Sequence, residues 1–139
     1  MKFIRVLKAD KLFEQLPNVE YFDNDIDKAL KETDDVNKKY GDAQKTLLHY
    51  SIEDWNTNAI LQLLEKGADI DAQDRYGRTP LMTSVNMNNL EAAEILLKRG
   101  ANPNLGDING VTALRMARNS RHPDMIRLLK EHGATRLFV

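Results

Sequence analysis

The sequence predicts an all-α solenoid, a stack of helix–turn–helix units joined by hairpin-like loops, and three observations predict it. A threonine recurs at Thr46, Thr79 and Thr112, a step of 33 residues each time, and Leu48, Leu81 and Leu114 follow in the same register. The pairs Gly67-Ala68, Gly100-Ala101 and Gly133-Ala134 keep that step. Between each threonine and its glycine lies a leucine-rich stretch, at Leu61–Leu64, Ile95–Leu97 and Leu128-Leu129. Self-similarity at a fixed period of this length marks a repeat architecture. One such helix pair cannot bury its apolar face alone, whereas stacked copies can.

Each element has a local cause. Threonine is a good N-cap, because its hydroxyl accepts from an orphan amide at the helix start. Pro80 follows at the first helical position, where a missing N–H costs nothing. The middle unit is therefore predicted to have a first helix from Leu81 to about Asn86 and a turn at Asn88-Asn89. A second helix is predicted from Leu90 to Arg99, with Ala92, Ala93, Ile95, Leu96 and Leu97 as its apolar face. Gly100 ends it, as glycine does where the chain turns left-handed. Pro123 gives the last unit's second helix, Asp124 to His132, the same first-turn signal. Asp74 and Asp107 open two units, with Gly77 and Gly110 three residues on, in segments whose Asn, Asp and Gly suit turns.

These residues carry a family resemblance. Asp74-Arg75-Tyr76-Gly77-Arg78-Thr79-Pro80-Leu81 resembles the opening of an ankyrin repeat, and Ile95 through Asn104 (ILLKRGANPN) resembles its close. The unit around Thr46 is similar through Leu48-His49 and Leu63 to Asp71. It departs at Gln44, where the turn glycine belongs, and at Leu47, where proline would stand. Asp25 to Asn37 resembles a second helix and exit loop with Thr33 in place of the glycine, and it needs one extra residue before Thr46. The resemblance implies one domain over residues 1–139. It divides into a capping segment at 1–16, a divergent first repeat at 17–40, repeats at 41–73 and 74–106, and a C-terminal repeat at 107–139. Helices are expected near Asn18 to Phe22 and from Ile26 to Glu32. Phe3, Val6-Leu7, Phe13 and Leu16 supply an apolar stripe to cover the open end of the stack.

Composition narrows the function classes. At 139 residues the chain suits one domain, and 42% hydrophobic and 29% charged residues with a mean hydropathy of −0.53 are ordinary for a soluble protein. No apolar run approaches bilayer length, and no small-residue cleavage site follows the first 16 residues, so no signal peptide is read. With no cysteine there is no disulfide, thiolate metal site or cysteine nucleophile, and a reducing cytoplasm is the expected location. The net charge of −1 argues against bulk attraction to nucleic acid or an anionic membrane. Residues 1–70 carry ten Lys/Arg against fourteen Asp/Glu, a balance of −4, and residues 71–139 carry ten against seven, a balance of +3. Such a polarity can orient a partner of complementary pattern.

No residue cluster reads as a reaction centre. His49 stands where ankyrin repeats commonly carry a histidine that bonds within the turn network. His132 falls in a helix's last turn and His122 in a turn, with no metal-ligand spacing among the three. The carboxylates Asp23, Asp25, Asp27, Glu32, Asp34 and Asp35 do not space as a calcium loop, and Glu53-Asp54 are neighbours that point different ways. Nucleophile elbows and phosphate loops are absent from the sequence, so neither a cofactor nor a metal is expected. Arg115, Arg118 and Arg121 have helical spacing without interleaved aromatics to stack bases, which weighs against nucleic acid.

What remains is a surface for another protein. In ankyrin repeats the partner usually meets the hairpin tips and the exposed face of the first helices. By resemblance these are Asp42, Ala43, Lys45, Glu53 and Asp54 in one unit, and Arg75, Tyr76, Arg78, Asn86 and Met87 in the next. In the last unit they are Ile108, Asn109, Val111, Asn119 and Ser120. Tyr76 between two arginines combines the residue types that dominate binding hot spots. Trp55 falls in a turn where glycine is usual, and it reads equally as packing or as partner contact. The expected function is a monomeric, non-catalytic binding protein. A free-standing repeat protein this small has no second domain to recruit for, so an inhibitor or antidote role leads, by analogy with small bacterial ankyrin proteins encoded beside toxins. An adaptor or chaperone is the alternative, and an enzyme with an unrecognised site is the rival from another class.

Overall fold

The computed structural model describes residue 29 and residues 31–139, so the expected cap at 1–16 and the helix near Asn18 to Phe22 lie outside the described residues. Of the helix expected over Ile26 to Glu32, the described residues Ala29, Lys31 and Glu32 are helical. Six further helices follow as three pairs: α1 (Leu47–Glu53) with α2 (Thr57–Glu65), α3 (Pro80–Asn86) with α4 (Leu90–Lys98), and α5 (Ala113–Asn119) with α6 (Pro123–Glu131). The short first helices α1, α3 and α5 stack on one another, and the longer α2, α4 and α6 form a second layer behind them. Among the described residues the only β pairing is isolated bridges at the hairpins. The fold is the all-α solenoid that the period of 33 residues predicts.

The caps act largely as the sequence implies. Thr79 Oγ1 accepts from the Met82 amide at 3.2 Å, and Thr112 Oγ1 from the Arg115 amide at 3.4 Å. Asn56 and Asn89 cap α2 and α4 through bonds of 3.0 and 3.1 Å from Ala59 and Ala92. Pro80 itself opens α3, while Arg99 and His132 fall just outside α4 and α6 as their C-caps. At Thr46 the hydroxyl instead meets the His49 imidazole, 2.8 Å away. Left-handed backbone recurs at fixed places in each unit. Gln44 (φ 53°) stands in line with Gly77 (74°) and Gly110 (76°), and Trp55 (57°) with Asn88 (50°) and Arg121 (56°). Gln44 therefore adopts the conformation for which the next two units use glycine, and Trp55 shares the left-handed backbone of Asn88 and Arg121.

Two kinds of contact fasten the units. The first is apolar: Leu48, Leu81 and Leu114, and Leu63, Leu96 and Leu129, all bury within one continuous core. The second is a ladder of loop bonds in which one carboxamide or carboxylate oxygen accepts an amide of the next unit. Asn37 takes Asp69 N–H at 2.6 Å, Asp71 takes Asn102 N–H at 3.0 Å, and Asn104 takes Thr135 N–H at 3.0 Å. Asn37 lies 34 residues before Asp71 and Asp71 lies 33 before Asn104, which is the one-residue offset seen in the sequence.

The last unit differs on its outer face. One period beyond the buried Val85 and Leu97 stand Arg118 and Lys130, both exposed to water. Beside that face, residues 136–139 fold back on the last hairpin. Val139 N–H donates to the Gly110 carbonyl at 2.8 Å, Thr112 N–H donates to Leu137 at 3.2 Å, and Arg115 sits 5.2 Å from the centre of the Phe138 ring. A Cβ on Gly110 would lie 2.5 Å from the Val139 carbonyl oxygen, much as one on Gly77 would lie 2.6 Å from Ile108 N. The tail thus occupies the flank that the next hairpin occupies one unit earlier. Gly110→Ala is expected to lower stability by more than about 1 kcal/mol through both the clash and the left-handed φ. Arg121→Gly relieves that left-handed cost of roughly 1–2 kcal/mol, offset in part by glycine's extra chain entropy of about 0.5–1 kcal/mol. Urea unfolding of the two variants should show midpoints shifted in opposite directions.

Candidate protein-binding surface

The middle hairpin is held by the carboxylate that opens it. Asp74 is buried, and its Oδ1 accepts from the amides of Tyr76 (2.8 Å) and Arg78 (2.9 Å). Asp107 does the same for Asn109 (2.8 Å) and Val111 (3.0 Å) in the next hairpin. Successive hairpins are tied by backbone bonds, Arg75 N–H to Ala43 at 2.9 Å and Ile108 N–H to Tyr76 at 3.0 Å. Tyr76 is therefore fixed in backbone while its side chain stays 48% exposed, with the Arg78 guanidinium 5.9 Å from its ring centre. Arg75 and Arg78 are exposed and make no ion pair with a described carboxylate.

His49 anchors this hairpin from the preceding unit. Its Nδ1 lies 3.2 Å from Thr46 N and 2.8 Å from Thr46 Oγ1, and its Nε2 lies 2.9 Å from the Arg78 carbonyl oxygen. A carbonyl only accepts and a backbone amide only donates, so one tautomer satisfies the set. Nε2 carries the proton and donates to Arg78, while bare Nδ1 accepts from Thr46. Burial lowers the imidazole pKa below its ordinary 6.5, outweighing the opposing pull of the Arg78 carbonyl and of Asp74.

Beside the hairpin lies a small hollow of about 50 Å³, walled by Lys45, Glu53, Asp74, Arg78, Asn86 and Met87 among others. A cavity needs about 10–15 Å³ to hold a single water, so this one has room for a few, and it falls well short of the roughly 300–1,000 Å³ of a typical small-molecule site. Lys45 and Glu53 form an ion pair across it and are largely covered, with side-chain exposures of 23% and 18%. The structure thus gathers Lys45, Glu53, Arg78, Asn86 and Met87 round one hollow, with Arg75 and Tyr76 on the hairpin that borders it. Ile108 (67% exposed) and Asn109 occupy the neighbouring hairpin. Asp42 is exposed on the first hairpin, Asp54 is half-buried at the C-cap of α1, and Asn119 is exposed at the end of α5. None of these three walls the hollow, and neither does Trp55, which stands 54% exposed in the turn after α1.

Phe138 (54% exposed) and Val139 (68%) join this edge of the stack without having been foreseen, because they follow the last repeat signature and carry no motif. The structural role of Asp74, by contrast, has a signal: an aspartate whose side chain bonds amides two and four residues on is a recognisable turn builder. Of the arginines at helical spacing, Arg115 lies against Phe138, and Arg118 and Arg121 are exposed. His132 Nδ1 bonds the Leu128 carbonyl at 3.0 Å, and His122 precedes α6 without a side-chain cap bond. No group of three metal-ligating side chains occurs among the described residues, and none of their helices is long and apolar enough to cross a membrane.

Comparison with known proteins agrees with this geometry. The model of "Ankyrin repeats (3 copies)" matches residues 18–107. The chain is 40% identical over 90 residues to the B-cell lymphoma 3 protein homolog of Mus musculus, which covers 64% of this chain and 20% of that protein. An ankyrin repeat protein of Rickettsia bellii is 29% identical over 121 residues, covering 84% of this chain and 66% of its own length. Among solved structures, the ankyrin repeat domain of Bcl-3, a member of the IkappaB protein family, superposes with a TM-score of 0.71 at 35% identity, over 79% of this chain and 48% of that one. The chain belongs to the ankyrin-repeat family, a scaffold for protein–protein interaction. It spans a fifth or less of the first curated relatives it matches.

The His49 bonds generate a pH dependence. Its folded pKa is lowered, so the unfolded chain takes up the proton more readily, and stability rises with pH across the window below 6.5. The contribution of His49 is fully present above pH 6.5 and is lost as pH falls through the folded value. The stability difference between wild type and His49→Gln, measured by chemical unfolding, is expected to be largest at about pH 7.5 and to shrink by about pH 5. A difference that is flat or grows on acidification contradicts the assignment.

Proposed function

We propose that this chain is a non-catalytic binding protein that grips one partner protein with its hairpin tips and first-helix face, and that it acts as an inhibitor of the antidote kind. The observation that carries the reading is the exposed trio Arg75, Tyr76 and Arg78. Their backbone is fixed by Asp74, Ala43 and His49, while among the described residues the side chains of Arg75 and Arg78 make no ion pair. A surface ordered before binding loses little conformational entropy when the partner arrives. Aromatic and guanidinium groups of this kind supply most of the energy in many interfaces. The small hollow next to the trio suits a partner side chain or a few waters better than a substrate. Occlusion of the partner's working surface is the proposed mechanism, with the protein monomeric when free and at work in a reducing cytoplasm, without nucleic acid or membrane as its target.

A pull-down with the tagged chain from host lysate tests this. One dominant partner in a one-to-one complex is expected, together with loss of that partner's own activity in the complex. Tyr76→Ala with Arg78→Ala should keep the fold by circular dichroism and lower affinity by about 30-fold or more, as loss of about 2 kcal/mol at hot spots implies. Undiminished binding by the double variant rejects the surface. Two partners bridged at once, with activities intact, favours an adaptor instead.

A further inference from the structure

Four of the exposed large apolar side chains lie along one edge of the stack in chain order. They are Tyr76, Ile108, Phe138 and Val139, at 48%, 67%, 54% and 68% exposure. Backbone bonds place them as neighbours: Ile108 N–H donates to Tyr76, Val139 N–H donates to Gly110, and Phe138 bridges Val111. The charges on this edge are uneven. The opening aspartates of the last two hairpins turn inward to hold their own amides. In the first unit, Lys45 is neutralised by Glu53, and the exposed Asp42 stands beside the Ala43 carbonyl that Arg75 bonds. Arg75 and Arg78 are left as exposed cations in the middle hairpin, and Ile108 and Asn109 bring no charge to the last.

We infer that the occupant of this edge is an extended partner segment with carboxylates set over Arg75 and Arg78 and an apolar side chain carried onto Ile108 and Phe138; this rests on the binding surface proposed above. Charge complementarity fixes the acidic part, and the exposed apolar side chains Ile108 and Phe138 fix the other. Spacing follows from dimensions. Packed helices lie about 8–10 Å apart, and an extended chain advances about 3.3 Å per residue with alternate side chains on one face. The acidic and apolar residues of the segment therefore stand about two to four positions apart, in either chain direction.

A display library of random twelve-residue peptides, selected on the intact protein, is the probe. The expected winners pair Asp or Glu with Leu, Ile or Phe at that spacing. Their binding should fall at least tenfold in Arg75→Glu with Arg78→Glu, and weaken as sodium chloride rises from about 50 to 500 mM, as screened charges require. Ile108→Ser with Phe138→Ser should weaken them without removing the salt dependence. Winners that are neutral or basic yet lost on Tyr76→Ala overturn the acidic–apolar assignment and leave the surface standing. Winners that bind the Tyr76→Ala, Arg78→Ala protein undiminished overturn the surface, and the assignment with it. A selection with no winners overturns the assignment alone.

Discussion

Each hairpin leans on the one before it through a single backbone hydrogen bond, and the rest of the molecule follows from that stacking. Arg75 to Ala43 and Ile108 to Tyr76 set the offset between units. With the hairpins in register, Leu48, Leu81 and Leu114 meet in line, and the second helices bury Leu63, Leu96 and Leu129 behind them. An isolated pair of seven- and nine-residue helices is too short to hold its shape in water. Stability is a property of the contact between units, which makes the neighbour part of each unit's own structure.

His49 shows how closely fold and surface are coupled. It belongs to α1, yet its Nε2 proton ends on the carbonyl of Arg78, a residue of the next hairpin that is proposed to meet the partner. The same ring holds Thr46 through Nδ1, so one buried imidazole closes the start of its own helix and pins the following unit. Protonating Nδ1 removes an acceptor that Thr46 N–H needs, and it places a charge where burial already disfavours one. The anchor thus favours the neutral ring.

Most of the fold was legible in the sequence because its period is a direct image of the geometry. Thr79, Pro80 and Gly77 recur or vary at fixed offsets, since a cap, a first-turn proline and a left-handed turn are needed once per unit. Even the departures were informative: Gln44 and Trp55 mark positions that are left-handed regardless of the residue there. The candidate surface was only partly legible. Family resemblance named the tips, but nothing local says that Lys45 and Glu53 will neutralise each other across eight positions. Nor does any motif indicate that Phe138 and Val139 return to the last hairpin. Those facts depend on distance in space, which a repeat pattern does not encode beyond its own period.

Neutralisation also sets the first unit apart from the middle one. An ion pair removes both of its charges from service to a partner. Lys45 and Glu53 are paired in this way, whereas the carboxylate nearest to Arg78 in its own hairpin, Asp74, is committed to two amides and buried beneath the turn. The middle hairpin consequently presents guanidinium groups beside an aromatic ring, while its anionic group faces inward as a structural part. The pattern links the two roles of that unit. The aspartate that shapes the turn is bonded to its own amides, and among the described residues the arginines beside it make no ion pair.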